Sequence, residues 1–203
     1  MPADRWTRRP LKSRDTRLAA RFARGLADAR VRPNWISLAS VAAAALAALC
    51  LIRSWYPAAA LFILLRLLCN LMDGMVAIEG GLGSPVGEIY NDLPDRVSDV
   101  LILCAAGYSL AWPAYARELG WLAAFVAVMT AYIRILGGAC GLQQDFGGPM
   151  AKPQRMAVMI VACVLAVFDA RALALALAVV IVGSLVTAAV RLQRIMRQLE
   201  SRA

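Results

Sequence analysis

Runs of about 20 apolar residues recur along almost the whole of this chain, and that length of helix is what crosses a hydrocarbon core about 30 Å thick. They fall at 34–52, 58–78, 91–112, 119–137, 153–168 and 173–191 or beyond, with no polar domain between them. In lipid every backbone N–H and C=O must find a partner within the protein, so such runs read as helices. Composition agrees: 61% hydrophobic residues and a mean hydropathy of +0.64 leave too few polar side chains to coat a soluble domain. The expected fold is an all-α polytopic membrane protein. Its six transmembrane helices occupy 34–195, after a basic arm over 1–33 and before a basic tail over 196–203.

Within the arm, Leu18, Phe22 and Leu26 recur every four residues with Arg17, Arg21 and Arg24 beside them. This pattern predicts an amphipathic helix over 13–29 lying in the membrane interface; the alternative is an unstructured basic arm that orients the protein. Ten basic residues precede the first span and Arg191, Arg194, Arg197 and Arg202 follow or end the last. The opposite turns hold Arg53, Arg117 and Arg171, so both termini are expected in the cytoplasm, as in a bacterial-type inner membrane. The net charge of +9 is thereby assigned to the bilayer and not to nucleic acid. The same bias makes the two longest connections, 79–88 and 138–152, cytoplasmic and places function there. The five cysteines form no C-x-x-C pair and read as packing residues, and the chain has no histidine, so proton transfer falls to other groups.

Charges inside membrane helices cost about 2.5–3.5 kcal/mol each on insertion scales, so each one asks for a partner or a purpose. In the second span Arg66, Asn70, Asp73, Gly74 and Ala77 share one stripe, with a buried Arg66–Asp73 ion pair as the structural expectation for the arginine. In the third, Asn91, Asp95 and Asp99 share another. The short connection between them predicts that the two helices are antiparallel neighbours with their polar ends converging. Carboxylates and amide oxygens without Cys or His are hard ligands, suited to a divalent ion such as Mg²⁺ or Mn²⁺.

These residues resemble the signature D-x-x-D-G-x-x-A-R-x8-G-x3-D-x3-D of the CDP-alcohol phosphotransferase family. Asn70, Asp73, Gly74, Ala77, Gly87, Asn91 and Asp95 fall on its successive positions without insertion, and Ile78 stands where arginine is usual. The resemblance implies metal-dependent transfer of a phosphatidyl-type group from a CDP-activated lipid such as CDP-diacylglycerol to a small alcohol, with release of CMP. It also implies a homodimer with a cytoplasm-facing cavity. Carried over by position, Asp95 is the general base, and Asn70, Asp73, Asn91 and Asp95, with Asp92 as a neighbouring acid, are the metal ligands. Asp73, Gly74, Ala77 and Gly87 become nucleotide contacts, together with Asn34 at the start of the first span.

Asn70 and Asn91 replace two family aspartates, removing two negative charges while keeping two carbonyl oxygens that can ligate. Glu79, Asp92 and Asp99 are the other acids at hand. For the acceptor, Arg134, Lys152, Arg155 and Arg191 are the candidate cations, the middle two bracketing Pro153 at the start of the fifth helix. They suit a polyol phosphate such as glycerol 3-phosphate. Two other classes remain on sequence alone: a non-catalytic membrane scaffold or CDP-lipid binder, and a small transporter. Against the transporter, both polar stripes end at one face and neither crosses the bilayer.

Overall fold

The structure, a computed structural model, describes residues 21, 24–26, 28–79 and 86–202. Its long helices are α1 (Pro33–Ile52), α2 (Tyr56–Glu79), α3 (Gly87–Tyr108), α4 (Ala116–Ala139), α5 (Lys152–Leu165) and α6 (Arg171–Glu200). No strand occurs among the described residues. Prolines set several starts: Pro33 and Pro153 occupy the first turns of α1 and α5, where a missing N–H costs nothing. Pro94 instead lies inside α3 and deprives the Tyr90 carbonyl of its helical donor one turn before Asp95. Four helices, α1, α2, α4 and α6, are long and apolar enough to cross a membrane. By the same measure α3 and α5 are not: α3 begins with a charged turn, and α5, with 14 residues, is only about 21 Å long. Most of the expected interfacial helix lies outside the described residues, but Arg24–Leu26 are helical and Leu26 packs near Ile36, Met75 and Val76.

The six helices close into a ring in the order α1, α2, α5, α6, α4, α3, with α3 also touching α6. Small side chains build the interior, among them Ala44, Ala47, Ala59, Ala106, Ala123 and Ala127, which let backbones approach as membrane helices do. Large apolar side chains such as Leu61, Phe125, Leu175 and Val182 point outward, as a lipid-facing surface requires. Helices α3 and α4 approach closely, since a Cβ on Gly107 would lie 2.5 Å from the Ala116 carbonyl. The cysteines are free; Cys50 and Cys163 are buried, whereas Cys140 is exposed at the end of α4 and does not pack.

One expectation is corrected here. Helices α2 and α3 are not close neighbours; α1 packs against both and holds them apart. Their polar stripes therefore face each other across a gap, and that gap is the cavity described next.

Candidate active site

The inner end of the polar region is a closed charge network. Arg66 Nη2 donates to Asp99 Oδ1 at 2.8 Å and Arg155 Nη2 to Asp99 Oδ2 at 2.8 Å, joining α2, α3 and α5. All three side chains are at most 1% exposed. Arg66 also donates to the Asp95 backbone carbonyl at 3.2 Å and lies 3.7 Å from its carboxylate. The anticipated Arg66–Asp73 pair does not form: seven residues along one helix is about 10.5 Å of rise, beyond the reach of the two side chains. Asp73 instead accepts from Ser37 Oγ of α1 at 2.7 Å. Asp99, with both oxygens bound by guanidinium groups, has little capacity left for chemistry.

One turn outward lies a cavity of about 290 Å³ bounded by α2, α3, α4 and α5, residues of the 140–151 connection, and Arg191 of α6. Asn70, Asn91, Asp92 and Asp95 line it, as do Arg134, Lys152, Arg155 and Arg191. Asp95 Oδ1 is ion-paired with Lys152, and Arg96 Nη2 stands 3.9 Å from its other oxygen. Asp92 turns toward Arg134, with which it is ion-paired. The amide nitrogen of Asn70 is buried without a hydrogen-bond partner. Asp73 lies outside the lining but close enough to Asp95 and Lys152 for their charges to act on it. Gly74 and Ala77, half-buried on α2, and Asn34 at the start of α1 stand away from this lining, as does Gly87 in the first turn of α3.

The connection from α4 to α5 is clamped over the cavity. Arg191 donates to the Gly147 carbonyl at 2.8 Å and to the Thr130 carbonyl at 2.7 Å, and Arg155 donates to the Met150 carbonyl at 3.0 Å. Thr187 Oγ1 accepts from the Met150 N–H at 2.9 Å. Gly148, at φ +124°, fits here because a Cβ would lie 2.4 Å from Thr187. Arg134 bonds Gln144 and stacks on Phe146, with 4.9 Å to the ring centroid. Farther out, burial works to raise the Asp145 pKa, but the Gly147 N–H and the Arg194 guanidinium prevail and hold it below the ordinary carboxylate value. Ser37, Thr130, Gln144, Phe146 and Thr187 carry no sequence signal of their own; only the fold brings them to the site.

Among the described residues no three His, Cys, Asp or Glu side chains come together as metal ligands. A divalent ion would therefore need amide oxygens as well as Asp73 and Asp95. The donor set fits that need, since Asn70 and Asn91 line the cavity with Asp95 and each carries a side-chain carbonyl oxygen of the hard type such an ion binds.

A family model for CDP-alcohol phosphatidyltransferase matches residues 30–190, most of the chain. The chain belongs to that family. It is thus an enzyme of the phosphatidyltransferase type, and the resemblance read from its signature residues holds over the whole helical ring. The phosphatidylinositol phosphate synthase of Mycobacterium tuberculosis (strain H37Rv) is 27% identical over 153 residues, 71% of this chain and 68% of that protein. The synthase of the same name from Mycolicibacterium smegmatis is 26% identical over 154 residues, 71% of this chain and 67% of its own length. Two crystal structures of the M. tuberculosis enzyme (PgsA1), one with CDP-DAG bound and one in complex with manganese and citrate, each superpose with a TM-score of 0.77 at 24% identity. They cover 89% and 88% of this chain, and 94% and 88% of theirs. At that identity the superposition speaks for the fold.

Proposed function

We propose that this phosphatidyltransferase moves the phosphatidyl group of CDP-diacylglycerol to the hydroxyl of a polyol phosphate and releases CMP. The observation that carries the anionic acceptor is the charge of the cavity: Arg96, Arg134, Lys152, Arg155 and Arg191 line it against only two carboxylates, Asp92 and Asp95. A neutral alcohol has no use for that excess, whereas a phosphate dianion is matched by it. The relatives support the reading by name, since phosphatidylinositol phosphate carries a phosphate on its alcohol part.

In this reading Asp95 takes the proton of the acceptor hydroxyl on a carboxylate oxygen, and the oxygen attacks the lipid-linked phosphorus. The bond from that phosphorus to the bridging oxygen breaks, and CMP leaves. Arg134, Lys152, Arg155 and Arg191 orient the acceptor phosphate, while Asp73, Gly74, Ala77, Gly87 and Asn34 provide the nucleotide side. Ser37 holds Asp73 in place. Asn70, Asp73, Asn91 and Asp95 would hold a divalent ion, Mg²⁺ or Mn²⁺, and Asp92 is left to Arg134. Such an ion, when bound, offsets the charge of the diphosphate. The manganese complex of the mycobacterial enzyme supports this choice of ion.

We place the helical ring in a bacterial inner membrane, as a homodimer, with α1, α2, α4 and α6 crossing it and with the cavity and both termini on the cytoplasmic side. A consistent observation is that Ser37 near the start of α1, Asp73 near the end of α2, Asp95 early in α3, Arg134 late in α4 and Lys152 opening α5 all gather at one end. The test is CMP release by the purified chain from CDP-diacylglycerol with Mn²⁺ and a panel of glycerol 3-phosphate, inositol phosphate, glycerol and inositol. Release with the phosphorylated acceptors alone is expected. Equal release with the neutral alcohols would remove the anionic acceptor, and no release with any of them would remove this donor or this acceptor class.

A further inference from the structure

The carboxylate given the proton-transfer role is already held by a cation of the acceptor cavity. Lys152 pairs with Asp95 Oδ1, and the next cation to that oxygen, Arg66 Nη2, stands farther off at 3.7 Å with its closer contact on Asp99. The other cations differ in kind. Arg96 donates to the Asp92 backbone carbonyl of its own helix at 3.3 Å, Arg134 is fixed by Asp92 and Gln144, Arg155 by Asp99, Met150 and Thr130, and Arg191 by two backbone carbonyls. Lys152 is held through one ion pair on a flexible four-carbon stem, and an ammonium can re-aim where a bonded guanidinium cannot. It also stands at the first turn of α5, next to the loop that roofs the cavity, so a small rotation about its stem carries its charge from Asp95 toward the cavity.

The substitution of two signature acids sharpens the conflict. With Asn70 and Asn91 neutral, Asp73 and Asp95 supply the negative charge available to a divalent ion, and Lys152 already neutralises one of them. An ammonium and a divalent ion cannot both sit on Asp95 without strong repulsion.

We propose that Lys152 is a tethered counter-ion that occupies Asp95 until a phosphate dianion in the acceptor cavity draws it away, so that dianion binding and divalent-ion binding assist each other. The inference rests on the metal site proposed above. By linkage the two ligands must tighten each other by the same factor. The device would keep the base masked until the acceptor is present, which protects the CDP-lipid from attack by water.

The experiment is a Mn²⁺ titration, read by electron paramagnetic resonance of the free ion, on the purified full chain in discs of zwitterionic lipid. Inorganic sulfate serves as the dianion because it does not withdraw Mn²⁺ from solution strongly, and chloride at equal ionic strength is the control. Sulfate is expected to tighten Mn²⁺ binding of the unaltered protein by about tenfold, within the usual range of such couplings. Lys152→Met is expected to bind Mn²⁺ about tenfold more tightly without sulfate and to gain nothing from it. Lys152→Gln, which keeps a polar side chain, should behave as Lys152→Met does and guards against a folding defect in either variant. Unchanged affinity in both variants, or a sulfate effect that survives them, overturns the counter-ion role while leaving the metal site standing. If no protein of the set binds Mn²⁺ although all bind CDP-diacylglycerol, the metal site itself fails and the inference falls with it.

Discussion

Asp95 and Asp99 lie one helical turn apart on α3, yet the surroundings of the two turns differ throughout. Around Asp99, two guanidinium groups from α2 and α5 take both carboxylate oxygens, and all three side chains are sealed from solvent. Around Asp95, one ammonium pairs closely with one oxygen while Arg66 and Arg96 stand back at 3.7 and 3.9 Å, a cavity opens beside it, and the neighbouring amides on the two stripes carry no charge. The inner turn ties three helices together; the outer turn sets its carboxylate beside a cavity. A membrane enzyme needs both, because a catalytic carboxylate stays in place only if the helices beneath it are pinned, and it reacts only if its own partners can be displaced.

The largest effect that could break this contrast is on the inner turn. Asp99→Asn leaves Arg66 and Arg155 without their shared counter-charge in a buried setting and is expected to cost about 3–5 kcal/mol of stability. A thermal melt of the purified variant checks it; a melt like the unaltered protein's would mean the network is not structural. A smaller effect is expected on the outer turn's side. Ser37→Ala removes the hydroxyl that fixes Asp73, and a hydrogen bond to a charged group contributes about 1.5–3 kcal/mol to stability, so the melt should fall by less than in Asp99→Asn. CMP release per folded molecule should fall as well if Asp73 must be held in place, and a variant with unaltered melt and release would mean the bond is dispensable. The smallest concerns Asp145, which stands apart from both turns. Its carboxyl is held below the ordinary value, so its contribution to stability is complete above the unfolded pKa of about 3.9 and is lost as pH falls through the lower folded value. Asp145→Asn should therefore lower the melting temperature slightly at pH 7, and the difference should vanish toward strongly acid pH; a difference that persists there would assign it to packing.

The signature residues were legible because their spacing on two helices is a local property: Asp73, Gly74 and Ala77 on one, Asn91 and Asp95 on the other, each set held by a single helical period. The four cations that line the cavity, Arg134, Lys152, Arg155 and Arg191, were legible for a similar reason, since charges near helix ends stand out in an apolar sequence. Pairings between elements were not. Arg66 was matched with Asp73 on its own stripe, but the reach of an arginine is shorter than two helical turns, and its partner came from α3. The separation of α2 from α3 follows from how α1 packs its small residues against both, which no stretch of 20 residues encodes by itself. Lys152 reads as a cation for an anionic acceptor, and only the fold shows its pairing with Asp95, 57 positions earlier in the chain. The roof over the cavity depends on Gly148 and Thr187 meeting from distant segments, and neither residue is unusual by itself.

Asp95→Asn puts the assignment of the base to a single comparison, with CDP-diacylglycerol binding, CMP release and thermal melting measured on the same preparation. The amide preserves the shape of the side chain and removes the base, so binding and melting should stay close to those of the unaltered protein while CMP release falls by about 10²-fold or more. Release at the unaltered rate, with the fold intact, would contradict the account and move the base away from the outer turn of α3.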